Sequence, residues 1–131
     1  MHKDLYNNVV EKLALNVQAI ASDTDTAGNI IDTAGYESAS ICTFLGAVSA
    51  GDLTISKIEE SDDSAMASAT EIPAARLIGS FSTLDTANTI TSCGFVSTKR
   101  YAQITYTSDN SASFTAGSVI TLGNPHNATV R

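Results

Sequence analysis

The chain has 131 residues, of which 43% are hydrophobic and only 16% charged, while Ser and Thr fill 32 positions and Ala another 18. That is an uncharged polar surface over a core of small side chains, in a length suited to one compact domain. Seven Lys and Arg against 14 Asp and Glu give a formal net charge of -7, which opposes non-specific nucleic-acid binding, where clustered positive charge must meet phosphate. The longest apolar runs fall well short of the roughly 20 residues that cross a bilayer as a helix, and Cys42 and Cys93 match neither a zinc nor a redox spacing. No membrane and no nucleic-acid partner is expected.

Met1 to Asp4 and the polar residues that follow give no secretory signal. Leu5, Val9, Leu13 and Val17 recur at the four-residue spacing of a helix face, whereas Leu13, Leu15, Val17 and Ala19 alternate as a strand does. Asn7, Asn8 and the β-branched pair Val9 and Val10 lower helix propensity, so residues 1–21 are expected to form an extended arm or edge strand, of which Met1 to Asn16 is dispensable for the central fold. The turn-rich run from Ala21 to Asn29 ends it. From Tyr36 two strand-compatible runs flank Ser49-Ala50-Gly51-Asp52, a hairpin signature. In the first, Ile41, Thr43, Leu45 and Ala47 face one way and Cys42, Phe44, Gly46 and Val48 the other, as in an inner strand partly covered on both faces. In the second, the opposite parities of Ile55 and Ile58 call for a bulge near Ser56.

Glu59 to Glu71, acidic and rich in Ala and Ser, reads as a loop or irregular edge. Ser92 to Val96 is a candidate strand. Arg100, Ala102, Ile104 and Tyr106 alternate with Tyr101, Gln103 and Thr105 in a half-buried strand, Asp109-Asn110-Ser111 reads as a turn, and Phe114 to Leu122 completes the apolar pattern. Gly123 and Pro125 oppose regular structure in the last segment. The whole predicts an all-β fold, either an antiparallel two-sheet sandwich of jelly-roll type or a partly closed barrel, with extended terminal arms. Its divisions are an arm at 1–21, a β-rich domain at 22–122 and a tail at 123–131.

Chemistry is sparse. His2 and His126 sit in terminal segments, away from any nucleophile and orienting group that a histidine catalyst requires. Cys42 and Cys93 read as small buried hydrophobes, with a disulfide between them left open by sequence alone. Glu59-Glu60-Ser61-Asp62-Asp63 lacks the twelve-position calcium loop and reads as a solvated strand end that discourages edge pairing. No glycine-rich phosphate loop is present, and Asn127-Ala128-Thr129 is a glycosylation sequon with no secretion to give it meaning. No catalytic, cofactor or metal residue is expected, and the protein is not expected to be an enzyme.

The order of segments is itself informative: Asp32-Thr33-Ala34-Gly35-Tyr36-Glu37-Ser38-Ala39, then Ile58-Glu59-Glu60-Ser61-Asp62-Asp63, then Lys99-Arg100-Tyr101 opening a strand, then Leu122-Gly123-Asn124-Pro125. It resembles a group of small capsid-associated, decoration-like head proteins of tailed bacteriophages and prophages, departing from them at Ser64-Ala65-Met66-Ala67, where a glycine and an aromatic residue are usual. The resemblance implies a virion structural protein that binds the outer surface of the major capsid protein lattice as a homo-oligomer, with a trimer favoured, after passing through the host cytoplasm during assembly. Multivalent attachment would strengthen such a contact, and the terminal arms could add hydrogen bonds to a neighbour's sheet edge. On that reading Leu5, Tyr6, Val9 and Leu13 belong to a protein interface, with Lys99 and Arg100 as charge contacts. Two other roles compete: a head-completion or tail-tube component, and a carbohydrate-binding β-sandwich presenting aromatic residues such as Tyr36 or Tyr101 to sugar rings.

Overall fold

The computed structural model describes residues 4–20 and 23–126. Its β-branched and alternating segments form β1 (Val9–Ile20), β2 (Asp25–Ala27), β3 (Ile31–Asp32), β4 (Tyr36–Ser61), β5 (Thr70–Glu71), β6 (Leu77–Ile78), β7 (Ile90–Phe95) and β8 (Tyr101–Pro125), with one 3-10 turn at Ala74–Arg76. All pairings are antiparallel and belong to one curled sheet in the order β1-β8-β4-β7-β6, with β2 and β3 also on β8 and β5 also on β4. The all-β, partly closed architecture expected from the sequence is therefore present.

Its spine is one long ribbon in which β4 runs against β8 from the Tyr36↔Pro125 pair to the Ser61↔Tyr101 pair. The hairpin expected at Ser49-Ala50-Gly51-Asp52 does not exist, and neither does the turn at Asp109-Asn110-Ser111: both segments lie inside continuous strands. They face each other where the ribbon bends. The pairs Ala50↔Ser113 and Asp52↔Asp109 leave residues 110–112 of β8 opposite the single Gly51, and further register shifts follow toward Leu45. Gly51 has φ +88, and a Cβ there would collide with the Ala112 backbone. Turn-forming residues thus supply a large bulge that folds the ribbon over itself, since bulges bend a strand without reversing it. The shift expected near Ser56 is found between Ile55 and Lys57.

Bending brings the concave faces of the two ribbon halves together. Ile41, Leu45, Ile120 and Leu122 from one half meet Leu53, Ile58, Ile104 and Tyr106 from the other in the buried core, with Phe95, Ile72 and Leu84 closing its side. Tyr106 reaches across, its hydroxyl 3.4 Å from Thr43 Oγ1, which lies 3.0 Å from Ser118 Oγ; Ser118 in turn donates to the Cys42 carbonyl at 3.2 Å. Burial of these polar groups is therefore matched by hydrogen bonds.

The first strand resolves the competition between helix and extended chain. β1 pairs with β8 from Val9↔Gly123 to Ile20↔Phe114 and puts Ala14 and Leu15 into the core at 0% and 1% exposure, so it is an edge strand on which the core depends rather than a dispensable arm. At the other end, Gly123 and Pro125 continue β8. Pro125 is tolerated at this strand's terminus, where one missing donor disturbs little of the ladder. The described parts of the segments proposed to reach a neighbour's edge, Val9–Ile20 and Gly123 to Pro125, are thus used in the protein's own sheet. His2, Ala21 and the Asn127-Ala128-Thr129 sequon lie outside the described residues.

Candidate protein interface

Register dictates what the convex faces display. On the half built from β1, β8, β4 and β7, residues alternate with core positions and line up across the strands: Leu13, Val119, Cys42 and Ser92 in one row, Phe44 and Ile90 beside Gly117 in the next. Val17 Cγ2 and the Phe44 ring close over Gly117 so tightly that a Cβ there would touch both. A third row runs through Glu11, Thr121, Ser40, Gly94 and Ile78, and Ala19 stands beside Thr115 at the far end. Of these residues only Glu11 carries charge. Leu13 is 49% exposed, Val17 61%, Ile78 61% and Ile90 64%.

The other half is finished differently. Its convex side carries the Lys57–Glu59 ion pair at 2.9 Å, the Thr107 hydroxyl donating to Asp25 at 2.6 Å, and Gln103 donating to the Gly28 carbonyl at 2.8 Å. Charged and hydrogen-bonded groups are ordinary solvent-facing chemistry, whereas a contiguous exposed apolar patch marks a contact surface. The free edge of β1 is partly closed: the Asn29 amide donates to the Ala14 carbonyl at 2.8 Å, its side chain to the Leu13 carbonyl at 3.0 Å, and Gln18 to the Asn16 carbonyl at 3.2 Å. Such capping discourages strand addition along the middle of β1.

The acidic run corrects the sequence reading. Glu59, Glu60 and Ser61 belong to β4, and Glu60, sharing parity with Ile58, turns inward to 2% exposure. Its carboxylate accepts from Arg76 at 2.6 and 3.1 Å, from the Thr98 amide at 2.9 Å and from the Ser97 and Thr98 hydroxyls at 2.9 and 3.1 Å. Burial alone would raise its pKa, but Arg76 and these donors override burial and hold it at about 2. The result is a clamp that ties the Ala74–Arg76 turn and residues 97–98 to the sheet. Its sequence signal was the parity with Ile58; Arg76, in an unrelated segment, could not be paired with it by local pattern.

Of the six residues assigned to an interface, Leu5 and Tyr6 lie in the turn before β1, 71% and 64% exposed, and Val9 and Leu13 follow on the convex side of β1. Lys99 and Arg100 lead into the opposite end of β8, which the bend of the ribbon returns toward β1: Asp32, held by Arg100, also accepts at its carbonyl from Lys12 at 2.8 Å. Arg100 is occupied within the chain, donating to both Asp32 carboxylate oxygens at 3.0 and 2.8 Å and covering the Tyr101 ring. Sequence reasoning missed Val17, Phe44, Ile78 and Ile90 as members of the exposed face; the two-sided apolar pattern of residues 41–48 was its only local trace.

Other chemistry-bearing residues are dispersed. Cys42 and Cys93 are free thiols; Cys42 pairs in register with Ser92 and Ile41 with Cys93, so the two thiols point to opposite faces, an arrangement that a disulfide cannot bridge. Burial pushes the Cys93 pKa up. His126 lies 3.5 Å from Glu37. A partly open hollow of about 150 Å³ is walled by Ile55, Ile58, Ile72, Leu77, Phe81 and Cys93, with Ser56, Lys57, Glu71 and Ser80 also at its lining. Among the described residues no group of three or more His, Cys, Asp or Glu is placed to hold a metal, and no helix is long and apolar enough to cross a membrane. Tyr106 is fully buried, so it does not join Tyr101 in an aromatic platform.

These features define a small all-β protein with a bent two-stranded spine and one convex face of low charge. The sequence matches no protein-family model and no curated protein. Among solved structures the fold is similar to that of the PBSX exported protein XepA, with a TM-score of 0.59 and 18% identity over 93% of this chain. That match covers 39% of XepA, so the chain spans about two-fifths of that protein's length; the likeness is one of fold. Fainter likenesses are to the CBM22-1 and GH10 modules of a Clostridium thermocellum endo-1,4-beta-D-xylanase complexed with xylohexaose (TM-score 0.41, 10% identity, 97% of this chain and 28% of that one) and to Tobacco streak virus coat protein (0.35, 20%, 99% and 96%). At those TM-scores neither carries an argument.

Proposed function

We propose that this is a structural rather than catalytic protein, a virion component that decorates or stabilises a phage capsid by attaching to the outer surface of its major capsid protein lattice. The observation that carries the reading is the distribution of exposed large apolar side chains: Leu5 and Tyr6 stand on the turn leading into β1 and Leu13, Val17, Ile78 and Ile90 on the sheet face beyond it, with Ile30, Leu77 and Val96 exposed elsewhere. That is the anatomy of a protein-contact surface. The segment order that resembles decoration-like head proteins supports the virion setting, beside the likeness of fold to the PBSX exported protein XepA. Leu5 and Tyr6, projecting before β1, are assigned to the capsid contact. Repetition over a lattice would give many weak contacts the strength of a few strong ones.

Titrating the purified protein against undecorated heads and measuring the bound protein after pelleting tests this. Saturable binding at many copies per head, weakened by L5A/Y6A, is expected. No saturable binding contradicts attachment, and saturation at only a few copies points to a head-completion role instead.

A further inference from the structure

We infer that the convex face of β1, β8, β4 and β7 is the contact surface for a second copy of this chain, packed sheet on sheet about a two-fold axis. The first argument is area. Three strands about 4.8 Å apart over the bulged length of β1 of about 30 Å, with six-residue β7 beside them over about 20 Å, present roughly 500 Å² in projection. Side-chain relief raises the accessible area toward the roughly 800 Å² per partner of a standard stable interface. The named residues of this face therefore supply about what one dimer contact requires.

The second argument is self-compatibility. A two-fold contact places the same patch on both sides, so any concentration of like charge is paid twice. Here the rows are built from Leu13, Val17, Phe44, Ile90 and small or hydroxyl residues, with Glu11 as their charged member at one end, although the chain as a whole carries a net charge of -7. The acidic excess lies elsewhere. The space above Gly117 is filled by Val17 and Phe44, so these two side chains close the middle of the face with apolar surface, as stacked sheets roughly 10 Å apart require. Capping of the β1 edge by Asn29 and Gln18 disfavours the competing mode, edge-to-edge pairing. The geometry is two-fold, unlike the trimer implied by the resemblance.

The test is the mass of the full chain in solution by sedimentation equilibrium over a wide concentration range, with Val17→Lys and Ile90→Lys as variants. Both side chains are well exposed in the single chain, so each variant should fold, as checked by circular dichroism and melting temperature, and Ser56→Lys on the other half of the ribbon serves as a control. A dimer is expected, with its dissociation constant raised about tenfold or more by either face variant and unchanged by the control. A second reading comes from Cys42, which sits on the face: its alkylation should slow as dimer forms. A monomer at the highest soluble concentration, another stoichiometry, or a dimer indifferent to both lysines overturns the inference. These outcomes are separate from head binding, since a monomer that saturates heads removes the dimer and leaves the structural role, and a dimer that ignores heads does the reverse.

Discussion

Replacing Glu60 by Gln should make the protein lose stability in a pH-dependent way. The carboxylate is 2% exposed and its pKa is held at about 2 against an ordinary 4.5. At about 1.4 kcal/mol per pKa unit, the difference corresponds to about 3 kcal/mol of stability. Because the folded value is the lower one, the unfolded chain binds the extra proton as pH falls, so the contribution is fully present above pH 4.5 and is lost as pH drops toward 2. E60Q keeps the shape but not the charge facing Arg76. Urea unfolding at pH 7, 5 and 3 should show the variant less stable by about 3 kcal/mol at neutral pH, with the gap closing as the wild type itself becomes protonated. Asp32, at about 2 against 3.8 because of its hydrogen bonds from Arg100, acts in the same direction, but its pair is exposed, so D32N should change stability by less than about 1 kcal/mol. A difference between wild type and E60Q that is absent at pH 7, or that stays constant with pH, would refute the reasoning.

Other perturbations follow from the same packing. Tyr106→Phe removes the hydroxyl that spans the two ribbon halves while Thr43 and Ser118 keep each other, so it should lower unfolding free energy by about 0.5–1.5 kcal/mol. Gly51→Val puts a β-branched side chain at φ +88 against Ala112, and its melting temperature should fall by an amount equivalent to more than about 1 kcal/mol. Deleting residues 1–16 strips Ala14 and Leu15 from the core and should cost at least about 2–5 kcal/mol; an unchanged denaturation midpoint would mean that β1 is peripheral after all. In the native wild type, thiol labelling should modify Cys42 well before Cys93, whose burial hinders both access and ionisation.

Alternation was legible where a strand is half-buried. Of Arg100, Ala102, Ile104 and Tyr106, read as one face, the last three are fully buried while Arg100 stands exposed just before β8, and the bulge near Ser56 followed from two isoleucines of opposite parity. What misled was the meaning of turn residues. Ser49 to Asp52 and Asp109 to Ser111 each satisfy a local turn pattern, but whether such a segment reverses the chain or bends it depends on the strand opposite, and each proved to be the other's partner at the ribbon's corner. Glu60 was hidden for a related reason, because a carboxylate in an acidic run is solvated unless a distant Arg and two hydroxyls converge on it. The convex face needed register across several strands, which no single segment of sequence contains.

The central claim is that this chain is a structural component held by protein contacts on a virion surface. Its most direct test is electron cryomicroscopy of heads saturated with the protein. The account predicts added density at symmetry-related positions across the outer capsid lattice, contacted through the Leu5 and Tyr6 turn; density confined to the portal axis, or no added density, would contradict it.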